Sequence, residues 1–438
     1  MNLVYGIHDK PKFAQLLVFA FQQVLAILAA TILVPAIVGN GMSQSAALFG
    51  AGVGTIVYQL FTKFRSPVYL GSSFAFINSM FAAFGGAASA SAGYVGLIVG
   101  AALAGLVYVI IAAVVKFVGV KWINKLMPPV VIGPTVAIIG LSLAGNTVGD
   151  LTTGRVAGCS PYVALICGLV TLIGVVMFSV YGKKMMKLIP FILGILAGYI
   201  VATIFTVIGA ATENAALMVI DFSVFKDMGV FAVPDFSFIE ALKGIKEIDG
   251  AFIATVAVAY IPVAFVVFAE HIADHKNLST IIDQDLLEEP GLHRTLLGDG
   301  IGSVAGAIFG GCPNTTYGES VGCVAITKNA SVVTITATAI MAIVVSFISP
   351  FVAFLDSIPG CVMGGVCITL YGFIAVSGLK MIQKVDLEDN ANLFTASVIL
   401  ITGIGGTAMA IGKVTITAIA CALILGIVTN IVLSKKKK

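Results

Sequence analysis

The chain has 438 residues, of which 59% are hydrophobic and 10% charged, against roughly 25% charged in an average soluble domain. Its mean hydropathy is +1.08 and its formal net charge +3. Too few polar residues remain to clothe a water-soluble body of this size, which excludes a soluble enzyme, a disordered protein and a nucleic-acid-binding module. A bilayer is the solvent that suits it, and the chain reads as an all-α polytopic membrane protein.

The start, Met1 to Lys12, is polar, and the apolar stretch after it is too long for the core of a cleavable signal. A membrane-crossing helix needs about 20 apolar residues, so runs free of charge serve as the ruler. Residues 13–62 and 66–115 contain no Asp, Glu, Lys or Arg. Each predicts two spans, broken near Gly39-Asn40-Gly41 and in the Gly/Ala/Ser tract at 85–93. Single spans follow at 126–149, 156–182, 188–212, 250–269, 329–355, 357–379, 390–412 and 414–434. The stretch 292–328, rich in glycine and containing Asp299 and Glu319, predicts two more, which makes 14.

Lysine and arginine set the orientation. With the N terminus inside, the cytoplasmic loops hold Lys63/Arg65, Lys116/Lys121/Lys125, Lys183/Lys184/Lys187, Lys276/Arg294, Lys328, Lys380/Lys384 and the tail Lys435–Lys438. The longest outer loop, 213–249, holds seven acids and three lysines. Both termini are expected in the cytoplasm. Pro128-Pro129-Val130-Val131-Ile132-Gly133, at the start of span 5, resembles Pro359-Gly360-Cys361-Val362-Met363-Gly364, at the start of span 12. Seven is an odd number, so a second copy of seven spans must be inverted, an architecture of transporters that hold substrate near the midplane where helices break.

Two spans carry such breaks. Pro67 to Ile77 opens span 3 and Cys312 to Ser320 opens span 10; each has Pro, Gly and hydroxyl residues before turning apolar. Non-helical backbone is tolerated at membrane depth only where protein buries it or a cavity adjoins it, and the helix that follows points free N–H groups at that cavity. Glu319 lies inside the second break. An intramembrane carboxylate costs about 2–3 kcal/mol even on insertion scales, so it is a candidate functional group. Glu270 ends the apolar run from Tyr260, with Asp274 on the same helical face. It either faces the bundle or closes span 8 as part of a solvated collar with His271 and His275. These histidines, with His293, read as loop or helix-end residues, Asp299 as a structural or boundary residue, and Asp283 to Glu289 as a solvated loop. Seven cysteines without a Cys-x-x-Cys or a nearby histidine suggest neither a disulfide framework nor a metal site. No nucleophile–base pair points to an enzyme, and no cofactor is expected.

Tyr69-Leu70-Gly71-Ser72-Ser73-Phe74-Ala75-Phe76, Ala269-Glu270-His271-Ile272, Pro290-Gly291-Leu292-His293-Arg294 and above all Pro313-Asn314-Thr315-Thr316-Tyr317-Gly318-Glu319 resemble the nucleobase–cation symporters of the nucleobase–ascorbate type, in particular their bacterial uracil-permease branch. The resemblance runs from about Lys12 to Val432. It implies 14 spans in two inverted seven-span repeats, with short strands from spans 3 and 10 paired near the midplane. It also implies a core domain (13–118 and 250–353), a gate domain (126–210 and 357–434) and commonly a homodimer. By position, Glu270 and Glu319 would face the base, Phe74 would lie against its ring, Tyr317 and Gly318 would line the other side, and Glu270, Asp274 and Glu319 would carry proton coupling. Three positions depart from common family patterns: Gln22-Gln23 stands where many members have Gln-His, Ser320 where Asn usually follows the acidic residue, and Asp274 where some uracil permeases have His.

The residue types suit that chemistry. Uracil presents N–H donors and carbonyl acceptors: carboxylates accept from the former, and backbone N–H groups at broken helices donate to the latter. The expected function is proton-coupled uracil import across the bacterial inner membrane, with uracil, H⁺ and the bilayer as partners and no nucleic acid. A xanthine or purine permease on the same scaffold is the alternative, followed by an anion transporter or channel of the same fold.

Overall fold

The computed structural model describes residues 3–119, 128–183, 185–226, 228–411 and 414–434. Lys121, Lys125, Lys184 and Lys435–Lys438 of the charge argument, and the first two residues of the expected 126–210 segment, lie outside them. In chain order the main elements are α1 (Phe13–Val38), α2 (Gln44–Phe61), β1 (Leu70–Ser72), α3 (Ile77–Gly85), α4 (Ala90–Val118), α5 (Pro129–Ser142), α6 (Ala144–Asp150), α7 (Pro161–Tyr181) and α8 (Pro190–Ala211). After several short turns come α9 (Ser237–Gly244), α10 (Gly250–Ile282), α11 (Leu292–Gly310), β2 (Asn314–Thr316), α12 (Gly318–Thr327), α13 (Val332–Val345), α14 (Ser349–Ser357), α15 (Gly360–Ile382), α16 (Asn390–Ile404), β3 (Met409–Ile411), β4 (Val414–Ile416) and α17 (Ala418–Ser434). Each of the 14 predicted segments finds a helix, and among the described residues seven helices are long and apolar enough to cross a membrane. Starts are marked in the sequence: Ser43 Oγ, Ser89 Oγ and Asp249 Oδ1 accept from the backbone N–H three residues on, capping α2, α4 and α10.

Spans 3 and 10 are extended before they become helical, as expected. β1 and β2 pair antiparallel, Leu70 opposite Thr316, Gly71 opposite Thr315 and Ser72 opposite Asn314. Buried strands must satisfy every backbone group inside the protein. The ladder does part of this, extended by Ser73 N–H to Pro313 O at 2.9 Å and Tyr317 N–H to Tyr69 O at 3.3 Å. Helix α2 adds to this: Leu70 N–H donates to Thr55 Oγ1 at 3.0 Å and Leu70 O accepts from the same hydroxyl at 3.1 Å, while the Asn314 side chain donates through Nδ2 to Gly50 O at 3.0 Å.

The crossing is cut to fit glycine. A Cβ on Gly71 would lie 2.4 Å from ring carbons of Tyr317, whose hydroxyl donates to Ser72 O at 2.8 Å. Behind the strands, Gly298, Gly302, Gly306 and Gly310 repeat every fourth residue along α11. A Cβ on Gly50 would meet Gly306 O at 2.6 Å, and one on Gly54 would meet Gly302 O at 2.7 Å. This is the small-residue seam by which membrane helices approach backbone to backbone. The repeat-related pair α5 and α15 uses the same device: a Cβ on Gly378 would meet Gly133 O at 2.5 Å.

Residues 4–9 fold back onto the chain just beyond α12. Val4 N–H donates to Lys328 O, Ala330 N–H to Tyr5 O and Val332 N–H to Ile7 O at 2.8–3.0 Å, and Ser331 Oγ donates to Asp9 O. Ile7 is buried among Tyr58, Leu278, Val321 and Val324.

Four span expectations need correction. Span 8 does not end near 269: α10 continues for 33 residues to Ile282, where Asp283 takes a left-handed conformation and stops it. Its second half stays helical because His271, His275 and Leu278 are buried against neighbours. Span 13 stops at Ile404 rather than 412, since Gly405-Gly406, with Gly406 at φ 67°, breaks it. The β-branched residues that follow form the β3–β4 hairpin, so α17 begins at Ala418 and not at 414. Span 11 is split, α13 ending at Val345 and α14 beginning at Ser349 beside Pro350.

Replacing Gly71 by Val drives a branched side chain into the Tyr317 ring. Overpacking of this kind costs roughly 1–3 kcal/mol. The variant is expected to melt several degrees below wild type in detergent, and an unchanged melting temperature would show that the crossing tolerates side chains.

Candidate functional site

Between the strand crossing and the helices α5, α8 and α15 lies a cavity of about 410 Å³, within the range of small-molecule sites. Its two walls differ. One is polar, built from Ser73, Phe74 and Ala75 after β1, from Glu270, Ala273 and Asp274 on α10, and from Thr315 to Glu319 across β2 and the start of α12. The other is formed by Val136, Ile139, Phe191, Leu370, Phe373, Ile374, Ser377 and Met381, and Ser377 is its single hydroxyl. Thus Phe74, Glu270, Asp274, Tyr317, Gly318 and Glu319, assigned to the site by the resemblance, come together in the lining of one cavity.

Each carboxylate is placed by backbone geometry. Glu319 sits in the first turn of α12, whose opening N–H groups have no intrahelical partners. Glu270 and Asp274 are one turn apart in the middle of α10 and both line the cavity, so Glu270 does not end the helix. Thr316 Oγ1 donates to Asp274 Oδ2 at 2.7 Å, tying β2 to α10. Phe74 enters from the short turn Phe74–Phe76 that precedes α3, with the Tyr371 ring edge-on at 6.1 Å and 76°. The cavity wall therefore offers carboxylate acceptors, helix-start N–H donors and an aromatic face.

The residues next along the chain from the two α10 carboxylates anchor the back of that helix. His271 and His275 are wholly buried, which corrects their reading as loop or helix-end residues. His271 Nδ1 lies 2.7 Å from Asp299 Oδ2 and its Nε2 lies 3.0 Å from Thr295 Oγ1, both on α11. His275 Nδ1 lies 2.8 Å from His271 O, a carbonyl, so it carries the proton; Nε2 then accepts from the Tyr58 hydroxyl of α2 at 2.8 Å. The two imidazoles stack with centroids 4.0 Å apart. Asp299, expected to be a structural or boundary residue, is wholly buried and pairs with His271. Burial of the histidines was not legible because Glu270 beside them ends the charge-free run. The four-residue spacing of His271 and His275, matching Glu270 and Asp274 but one residue out of phase, was the available signal: two polar stripes on different faces of one helix.

The departures at span 1 and after the acidic residue of span 10 meet each other: Gln23 Nε2 on α1 donates to Ser320 Oγ on α12 at 2.6 Å, both buried. Gln and Ser thus keep a hydrogen bond between α1 and the start of the site helix.

The sequence profile of the Permease family matches residues 14–412. The chain belongs to this family. It is 38% identical to the uracil permease of Bacillus caldolyticus, covering 98% of this chain and 94% of that protein, and 36% identical to the uracil permease of Bacillus subtilis (strain 168), covering 99% and 96%. Its fold is similar to the transmembrane domain of a cyanobacterial bicarbonate transporter, BicA, with a TM-score of 0.64 at 15% identity over 97% of this chain and 100% of that one. Family and apolar helices together make it a multi-pass membrane transporter with an inverted-repeat fold. Among the described residues no cluster of three or more His, Cys, Asp or Glu is suited to a metal ion.

Asp299→Leu strips His271 of its acceptor inside the bundle. An orphaned buried donor costs about 1–3 kcal/mol, so this variant is expected to unfold well below wild type. Asp299→Asn keeps an acceptor and is expected to lose much less. Equal melting temperatures for the two would contradict the anchoring role.

Proposed function

We propose that this permease imports uracil across the bacterial inner membrane together with a proton, by alternating access. The observation that carries the reading is the convergence of Glu270 and Glu319 with Phe74 on one wall of a single cavity. The uracil permeases it matches along nearly its whole length support the substrate. Uracil N–H groups donate to the two carboxylates, its carbonyls accept from N–H groups at the starts of the Phe74 turn and α12, and its ring rests on Phe74. A carboxylate that binds the base well in only one protonation state links proton and base, because the loaded carrier then contains both. Asp274, held by Thr316, completes the proton-coupling set.

The two unlike walls support a division of labour. The core, residues 13–118 and 250–353, carries every polar group of the cavity except Ser377; the gate, 126–210 and 357–434, presents an apolar face. A core sliding along such a face breaks few polar contacts as it moves, which suits a carrier. The charge pattern puts both termini in the cytoplasm, and the family resemblance extends the assembly to a homodimer. The cavity lining contains three carboxylates and no Lys or Arg, which disfavours the anion reading despite the shared fold with a bicarbonate transporter. Tyr317-Gly318-Glu319 after Thr315-Thr316 favours uracil over xanthine.

Labelled uracil is expected to enter proteoliposomes when an inward proton gradient is imposed without Na⁺, with competition by unlabelled uracil and not by xanthine. Glu270→Gln or Glu319→Gln is expected to reduce uptake to background while the protein stays folded. Uptake driven only by Na⁺ would remove the proton, competition by xanthine would change the substrate, and wild-type uptake in either variant would remove that carboxylate from the site.

A further inference from the structure

A second chamber, of about 710 Å³, lies at the other end of the interface between the same two groups of helices. It is reached from the end of the bundle where α1 finishes, which the charge pattern assigns to the outside. One side is the α1–α2 connection, from Pro35 to Ser45; the other is the α6–α7 connection with Asp150, Thr153 and Arg155, together with the start of α15 at Gly360. The segment around Ala232 to Asp235 covers it, held by Ala232 N–H to Phe347 O at 3.0 Å and Ser349 N–H to Val230 O at 2.9 Å. The chamber is built rather than incidental, since Cys361 N–H donates to Thr153 O at 2.8 Å and so fixes one wall to the first turn of α15.

Its polar groups are selective. Asp150, Asp235 and Asp356 face a single cation, Arg155, so the lining disfavours anions. Gln44, in the first turn of α2, is only 8% exposed, lines the chamber, and has no hydrogen-bond partner for its Oε1 among the described residues. That oxygen is shielded from the chamber, and a half-turn of the amide brings it to face the space in place of Nε2, so the group can offer an acceptor or a donor. A primary amide is complementary to the N–H and C=O pair of a planar lactam or imide, the edge by which a neutral pyrimidine base is recognised.

We propose that this chamber is an entry subsite that binds the uncharged nucleobase through the Gln44 amide before it reaches the cavity at Glu270 and Glu319. The inference rests on the reading of the chain as a uracil carrier and adds a second place where the base is held. It also assigns a filter: a pyrimidine carrying a carboxylate would be rejected at the chamber by its excess of aspartates.

The test is photochemical and does not require transport. Purified wild-type protein is irradiated with 4-thiouracil at millimolar concentration and the cross-linked peptides are mapped by mass spectrometry. Two sets are expected, one from the central cavity around Phe74 and Tyr317, the other from residues 35–45 or the loop at 150–156. Excess uracil is expected to suppress the chamber set and a 6-carboxylated uracil to leave it. Gln44→Met is expected to lower the chamber set by about fivefold, the loss of one hydrogen bond, and to keep the central set, which also reports that the variant is folded. Should Gln44→Met not fold, Gln44→Asn, whose amide is drawn back by one methylene, is expected to show the same selective loss. Glu319→Gln is expected to do the reverse. Central labelling with no chamber labelling, or chamber labelling that survives both Gln44 substitutions, would overturn the subsite alone. Labelling at neither place would overturn the uracil reading and the subsite with it.

Discussion

Two buried extended segments satisfy their backbone chiefly against each other, with help from α2, and the rest of the molecule is arranged around that requirement. Six residues, Leu70 to Ser72 and Asn314 to Thr316, form the ladder. Because they come from opposite halves of the chain, neither half has a satisfied interior alone. The requirement also decides where chemistry can occur: the strands end where helices begin, and the groups that the strands leave behind (Phe74 on one side, Gly318 and Glu319 on the other) reach a common space. Thr55 bonds the Leu70 backbone and the Asn314 side chain bonds Gly50 O, which ties the crossing to α2.

The polar wall is rigid for reasons that lie behind it. Glycine spacing on α11 lets it meet α2 backbone to backbone, and His271 and His275 fasten α10 to both helices through Asp299, Thr295 and Tyr58. The carboxylates therefore sit on a helix with little freedom to turn, which suits groups that must be held in a costly environment. The opposite wall shows the other extreme, apolar and joined to the first by few polar contacts, Asn78 Nδ2 to Ser142 Oγ at 3.0 Å being one. A firm unit against a smooth one is the mechanical content of the proposed core and gate.

Much of this was legible in the sequence because it follows from local chemistry. The breaks at Pro67 and Pro313 announce themselves by Pro, Gly and hydroxyl residues where a membrane helix should be apolar, and Glu319 stands out as a charge between apolar runs. What could not be read depends on packing. Whether Glu270 ends a helix or sits inside one is decided by neighbours of His271 and His275 that lie 28 and 217 positions away in the chain. The β3–β4 hairpin was missed since the charge-free runs 390–412 and 414–434 look the same as helix or as helix plus strands; only the Gly405-Gly406 pair hinted otherwise. The meeting of Gln23 and Ser320 was invisible too, for two separate departures from a pattern do not announce that they touch.

The first residues of the chain have a role that their polarity disguises. Residues 4–9 lie along the stretch from Lys328 to Val332, immediately past the helix that carries Glu319, and Ile7 is packed into the same cluster as Val321 and Val324 on that helix. The N-terminal segment is thus a brace on the far end of the lever whose near end holds the site. Anything fused ahead of Leu3 would bear on this brace, so the choice of which terminus carries an affinity handle is a mechanical decision and not a matter of convenience.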